Sequence, residues 1–192
     1  MIINLNEYNF FTFSWLNTSL DNIEKYEQNK KDCKSKIIRN NDVNIKINFE
    51  YNPEIIKTYF LQIKNGVIML PNLQDGWSSY FYNLTEDLKL NGFHFSLSSE
   101  KEDEPYNCMT FIENGLRKRT CYTLKEGKTW TFYEDGKPLF FEEVNYYKNK
   151  LKKLKLNKEI ILNYCNKLGI TNGHKLEIIT ERNNLKMEYK NR

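Results

Sequence analysis

Histidine and glycine are scarce in this chain, and both shortages restrict its chemistry. Its 192 residues include two histidines, His94 and His174. A general base near neutral pH is most often a histidine, so Ser–His or Cys–His catalysis has few places to sit. The eight glycines never cluster. Phosphate-binding loops need close-set glycines that let backbone amides converge on an anion, and neither GxGxxG nor the P-loop pattern occurs. The four cysteines, Cys33, Cys108, Cys121 and Cys165, form no CxxC pair, and with two histidines they give no zinc-ligand spacing. No apolar run approaches the ~20 residues that a membrane helix requires. The stretch from Phe10 to Leu16 is too short and too aromatic for a signal core, and no basic segment precedes it. The chain therefore reads as cytoplasmic, with reduced and mostly buried thiols and with no metal, cofactor or membrane contact. On that reading the sequons at Asn17 and Asn83 are incidental.

Aromatic residues are plentiful at 15%, within an apolar content of 40%. Rings bury large areas, so the chain can fill a core and fold as one domain spanning 1–192. Lys and Arg number 29 against 25 Asp and Glu, a net charge of +4. That is below the basicity of dedicated nucleic-acid binders, so the placement of charge matters more than its sum. Abundant Asn, Lys and Ile suit an AT-rich bacterial genome.

The patterning predicts an α+β fold: an antiparallel meander sheet built from hairpins, packed by an amphipathic helix, with a C-terminal helical part over approximately 142–192. Phe11, Phe13 and Trp15 alternate with Thr12 and Ser14 as a half-buried strand does. A polar helix follows from about Asp21. Val43, Ile45, Ile47, Phe49 and Tyr51 alternate strictly with polar residues and predict the clearest strand. Asn65-Gly66 between Tyr59–Lys64 and Val67–Leu70 predicts a hairpin with a type I′ turn, with a helix starting at Pro53 as the competing reading. Trp77, Tyr80, Phe81, Leu84 and Leu88 share one face of a helix over 76–90, with Asp75 as N-cap and Asn91-Gly92 as the stop. Phe93–Leu97, Met109–Glu113, Leu116–Thr123 and Lys128–Tyr133 then form the meander that this helix would cover. From Glu142 the spacing of Tyr146, Tyr147, Leu151 and Leu154 predicts a lysine-rich helix. A second helix follows Asn157 and ends at Gly169, and Leu176, Ile178 and Ile179 suggest one more short element.

Three patches carry candidate function. Glu100, Glu102, Asp103 and Glu104 precede Tyr106 and form an acidic loop. It lacks the alternating Asp/Asn and central Gly of a calcium loop, so charge steering toward a protein partner, with Tyr106 as an exposed anchor, is the better use. Arg117, Lys118 and Arg119, together with Lys150, Lys152 and Lys153, could instead track a phosphate backbone. Interleaved leucines make those lysines equally well the wet face of an amphipathic helix. Finally, His94 could pair with Ser96 or Ser98 along the polar face of its strand, although no nucleophile elbow or orienting third group accompanies it.

The segment Gly136-Lys137-Pro138-Leu139-Phe140-Phe141-Glu142, with Trp130 and Phe132 upstream and Tyr146-Tyr147 and the Asn157 to Gly169 helix downstream, resembles a C-terminal pattern of uncharacterised bacterial proteins. Some of these are similar to immunity proteins of polymorphic or contact-dependent toxin systems. The resemblance implies a non-enzymatic protein that binds and occludes a toxin encoded nearby, and it carries over no catalytic residue. The mild basicity departs from the acidic character common among nuclease inhibitors, so the acidic loop would have to supply the contact locally. A nucleic-acid-associated module and a small hydrolase centred on His94 remain the alternatives.

Overall fold

Alternating apolar and polar side chains build most of this molecule as a single sheet. The computed structural model describes residues 9–30, 36–39, 47–170 and 175–183, the second and fourth stretches as backbone. Its strands are β1 (Phe10–Leu16), β2 (Lys36–Arg39), β3 (Ile55–Ile63), β4 (Gly66–Pro71), β5 (Gly92–Ser98), β6 (Tyr106–Glu113), β7 (Leu116–Glu126), β8 (Thr129–Asp135) and β9 (Lys175–Asn183). Its helices are α1 (Leu20–Asn29), α2 (Ser78–Asp87) and α3 (Lys158–Lys167). The nine strands run antiparallel in the order β2-β9-β3-β4-β1-β5-β6-β7-β8. The predicted meander is β5 to β8. The N-terminal strand β1 pairs with both β4 and β5 and so joins the β3–β4 hairpin to the meander.

Pleating sends successive side chains to opposite faces, and each face has its own cover. On one, Phe11, Phe13, Phe95, Leu97, Met109 and Cys121 pack against Tyr147, Leu156 and the Ile161, Tyr164 and Cys165 side of α3. On the other, Leu16, Phe60, Val67, Met69 and Ile112 pack against Leu20 and Ile23 of α1 and Tyr80, Phe81 and Leu84 of α2. The helix after Trp77 therefore covers only part of the meander, and the C-terminal segment covers its other face. Cys108, Cys121 and Cys165 are free and buried; Cys33 lies outside the described residues.

Several local expectations are corrected by hydrogen bonding the pattern does not reveal. Residues 43–46 lie outside the described residues, but Ile47 to Tyr51 is not a strand. Glu50 makes one isolated parallel bridge to Leu73, with its amide bonded to the Asn72 carbonyl at 2.8 Å. No helix starts at Pro53. The β3–β4 turn is Lys64-Asn65 and Gly66 already pairs with Ile63, so Asn65-Gly66 is not a type I′ pair. A Cβ at Gly66 would collide with the Leu16 carbonyl, which is the closer reason for glycine there. By contrast Asn114 (φ 51°) and Gly115 (φ 78°) take the positive angles of a primed hairpin turn between β6 and β7.

α2 begins at Ser78 rather than Gly76, because Trp77 (φ 48°) is held out of helical geometry, its amide donating to Asp75 Oδ1 at 2.9 Å. It ends before Asn91-Gly92, with Lys89 (φ 50°) left-handed and Leu90 N donating back to the Thr85 carbonyl at 2.9 Å. The lysine-rich segment forms no continuous helix, only single 3-10 turns at Tyr146–Lys148 and Lys152–Leu154. Asn149 Oδ1 accepts from Leu151 N at 3.1 Å, and Leu151 is extended, so a local side-chain bond displaces the helical one. Asn157 caps α3 as expected, accepting from Ile160 N at 2.9 Å. The element suggested around Leu176 is β9, which lies between β2 and β3.

Candidate functional site

On the α2 side of the sheet, β1, β5 and β6 place small polar residues in register. Ser14, His94 and Thr110 form one row, and Thr12, Ser96 and Cys108 the next. These are not the wet face that alternation suggests: His94 is 7% exposed, and all seven residues of β5 are buried. The turn ahead of α2 covers them. Gly76 (φ 69°) lies so close that a Cβ there would collide with Thr12 and come within 2.9 Å of His94 Cε1.

His94 Nδ1 and Ser14 Oγ are hydrogen bonded at 2.8 Å. Burial pushes the imidazole down to about 4, against a smaller opposing pull from the Asp75 carboxylate, so the ring is neutral at pH 7. The pairing expected with Ser96 or Ser98 does not form. Ser14 has no exposed surface, and Ser98 Oγ instead accepts from Tyr106 N at 2.9 Å. A reacting group would have to reach a serine sealed beneath the sheet, which argues against His94 as a general base for it.

Two adjoining cavities open beside this row. The inner, about 350 Å³, is lined by Thr12, Ser78, Tyr82, His94, Ser96, Cys108 and Thr110. The outer, about 570 Å³, is lined by Tyr51, Asn52, Leu73, Gln74, Ser98, Glu102 and Glu104. Phe10, Asp75 and Tyr106 line both, so the two form one cleft. Three of the predicted partner-binding residues, Glu102, Glu104 and Tyr106, are thus brought together. The other two are not: Glu100 pairs with Lys153 at 3.3 Å, and Asp103 is exposed away from the lining, its carbonyl accepting from Lys125 Nζ at 3.3 Å. Tyr106 is half-buried rather than exposed. Burial and the neighbouring Cys108 push its phenol above the usual range. Its ring starts a row with Tyr122 and Tyr133, centroids 6.0 and 5.1 Å apart, and Tyr133 is exposed.

The acidic loop is held at both ends. Ser99 N donates to the Asn9 carbonyl at 2.6 Å, Ser98 N to Asn107 Oδ1 at 3.0 Å, and Lys125 N to the Pro105 carbonyl at 3.0 Å. Among the described residues neither Glu102 nor Glu104 has an ion-pair partner, and no group of His, Cys, Asp and Glu could hold a metal ion. No described helix is long and apolar enough to cross a membrane.

The alternative basic patch is dispersed. A bulge opposite Phe111–Ile112 leaves Arg117 and Lys118 exposed, while Arg119 is 1% exposed. Arg119 donates to Glu142, to Glu134 and to the Gly136 carbonyl, so it is spent inside the molecule. Burial works against its charge, but the hydrogen bonds it donates to the two carboxylates outweigh that and lift the guanidinium above its ordinary value. Lys150 and Lys152 are exposed and Lys153 pairs with Glu100, none on a shared helical face. His174 lies outside the described residues.

Asp75, Phe10, Tyr51 and Ser14 were missed by sequence reasoning. In the sequence Asp75 reads as a helix cap, and only the pairing of β1 with β5 brings Ser14 to His94. The available signal was that Thr12 and Ser14 repeat the small polar alternation of Ser96 and Ser98.

The chain matches no protein-family model, no curated protein and no solved structure.

Proposed function

We propose that the protein is a non-enzymatic binding protein of the bacterial cytoplasm, most specifically an immunity protein that neutralises a toxin by occluding its active surface. The contact is the cleft bordered by Glu102, Glu104 and Tyr106. The observation that carries this reading is the preformed acidic rim: carboxylates without internal partners stand on a hydrogen-bonded loop beside half-buried aromatic rings. A surface already held in its binding shape loses little entropy on association, and unpaired charges at its border speed encounter with a basic partner. The Gly136–Gly169 stretch resembles a pattern of uncharacterised bacterial proteins, some of them similar to immunity proteins, and this supports the choice of partner.

The test is co-expression with the product of the adjacent gene, followed by co-purification and a growth-protection assay. A stable complex, lost with Glu102→Lys/Glu104→Lys while the variant keeps its fold, supports the reading. Unimpaired protection by that charge-reversed variant would move the contact elsewhere. No complex and no protection would remove the proposal.

A further inference from the structure

We infer that the two-chambered cleft is a receptor for an arginine side chain of the partner. This rests on the binding role proposed above and names what the partner inserts. Three carboxylates, Asp75, Glu102 and Glu104, line the cleft, and among the described residues no lysine or arginine does. The charge of an anionic or phosphate-bearing ligand would be repelled there. The walls that run through both chambers are the rings of Phe10 and Tyr106, with Tyr51, 89% exposed, at the outer edge. A guanidinium is planar, stacks on aromatic faces and forks onto carboxylates, and it is less strongly hydrated than an ammonium. A lysine would satisfy the charge but make little use of the rings.

The inner chamber adds a polar lining that suits the same occupant. His94 lines it, with Nδ1 bonded to Ser14 and, among the described residues, no partner for Nε2. In the tautomer that carries its proton on Nδ1 and donates it to Ser14 Oγ, Nε2 presents a lone pair, the complement of a guanidinium N–H. The chamber's apolar and hydroxyl-bearing lining then accommodates the methylene stem and the remaining donors.

The experiment is an NMR titration of the full chain with three blocked tripeptides: Gly-Arg-Gly, Gly-Lys-Gly and Gly-citrulline-Gly, the last keeping arginine's shape without its charge. The arginine peptide should shift the His94 ring and Tyr106 signals in a saturable way, and the lysine peptide should bind several-fold more weakly. The citrulline peptide should leave both signals unmoved. Glu102→Gln/Glu104→Gln should weaken the arginine peptide by roughly tenfold, as loss of charge-assisted hydrogen bonds does. Equal binding of citrulline and arginine, or a silent His94, overturns the inference. If a partner protein binds through Glu102 and Glu104 while the arginine peptide leaves His94 and Tyr106 unmoved, the arginine anchor fails and the binding role survives. If the peptide binds as described but no partner is protected against, the anchor stands and the immunity role fails.

Discussion

Replacing Glu142 with alanine should be among the most damaging single changes in this protein. Its carboxylate is fully buried and meets three donor groups. Arg119 donates from Nε at 3.1 Å to Oε1 and from Nη2 at 2.8 Å to Oε2. Leu139 N donates at 2.8 Å and the Tyr147 hydroxyl at 2.6 Å. In Glu142→Ala the guanidinium keeps Glu134, which is 41% exposed, and the Gly136 carbonyl, but the rest of its donors face a space closed to water. Removing one partner of a buried ion pair costs about 3–5 kcal/mol. At roughly 2–4 °C per kcal/mol for a chain of this size, Tm should fall by roughly 6–20 °C. The double variant Arg119→Met/Glu142→Leu removes both charges and should recover part of that loss, since a buried pair replaced by apolar groups is often nearly neutral. Urea and thermal unfolding followed by circular dichroism read all three proteins. A Glu142→Ala variant within about 1 kcal/mol of the parent would refute the assignment of this cluster as a buried clasp. A double variant no better than the single would refute the charge-burial argument specifically.

Three further outcomes follow from the same geometry. His94 is held at about 4, below the ordinary histidine value, so the unfolded chain binds more protons between those limits. Its contribution is therefore present above about pH 6.5 and lost as pH falls toward 4. Going from about pH 7.5 to about pH 5 should cost the parent about 2 kcal/mol more than His94→Gln in urea unfolding, and equal pH slopes would contradict the burial argument. Asn157→Ala removes the acceptor for Ile160 N at the start of α3 and should cost about 1 kcal/mol; Asn157→Asp, which keeps an acceptor, should cost little, and equal losses would rule out capping. Burial pushes the thiols of Cys108, Cys121 and Cys165 up, Cys121 to about 12. Mass-mapped alkylation of the native protein should spare all three and label them on unfolding; a native adduct on Cys165 would disprove its burial.

The elements that could be read from the sequence are those whose signal is local. The Asn157 cap, the Asn114-Gly115 turn and the apolar stripe of α2 each depend on a few neighbouring residues, and each is present. The misreadings share the opposite property. Ile47 to Tyr51 alternates well enough for a strand, but alternation only makes pairing possible, and Glu50 finds a single bridge at Leu73. The lysine-rich segment has helical spacing, yet one Asn149 side-chain bond and the demands of Glu142 on Leu139 and Tyr147 fix its backbone otherwise. Arg117 to Arg119 reads as one basic run. A bulge separates its members, and the Glu142 carboxylate, 23 residues downstream, claims Arg119; neither shows in the local pattern of the run.

The cleft shows the same limit at the level of function. Alternation correctly divides β5 into an apolar and a polar set, but it cannot say that the polar set is covered. Small hydroxyl residues facing solvent would be a bland surface. The same residues under Gly76, Asp75 and Tyr106 become a polar floor at the base of an acidic, aromatic-walled cavity, and His94 changes from a solvent-exposed base into a buried, neutral ring. The chemistry of that position is therefore decided by the two residues of the turn ahead of α2. Widening the turn at Gly76, where any Cβ collides with Thr12, should open the floor to water and raise the His94 pKa toward the ordinary value. An imidazole titration of Gly76→Ala by NMR would show it, and an unmoved midpoint would mean that the cover on His94 comes from elsewhere.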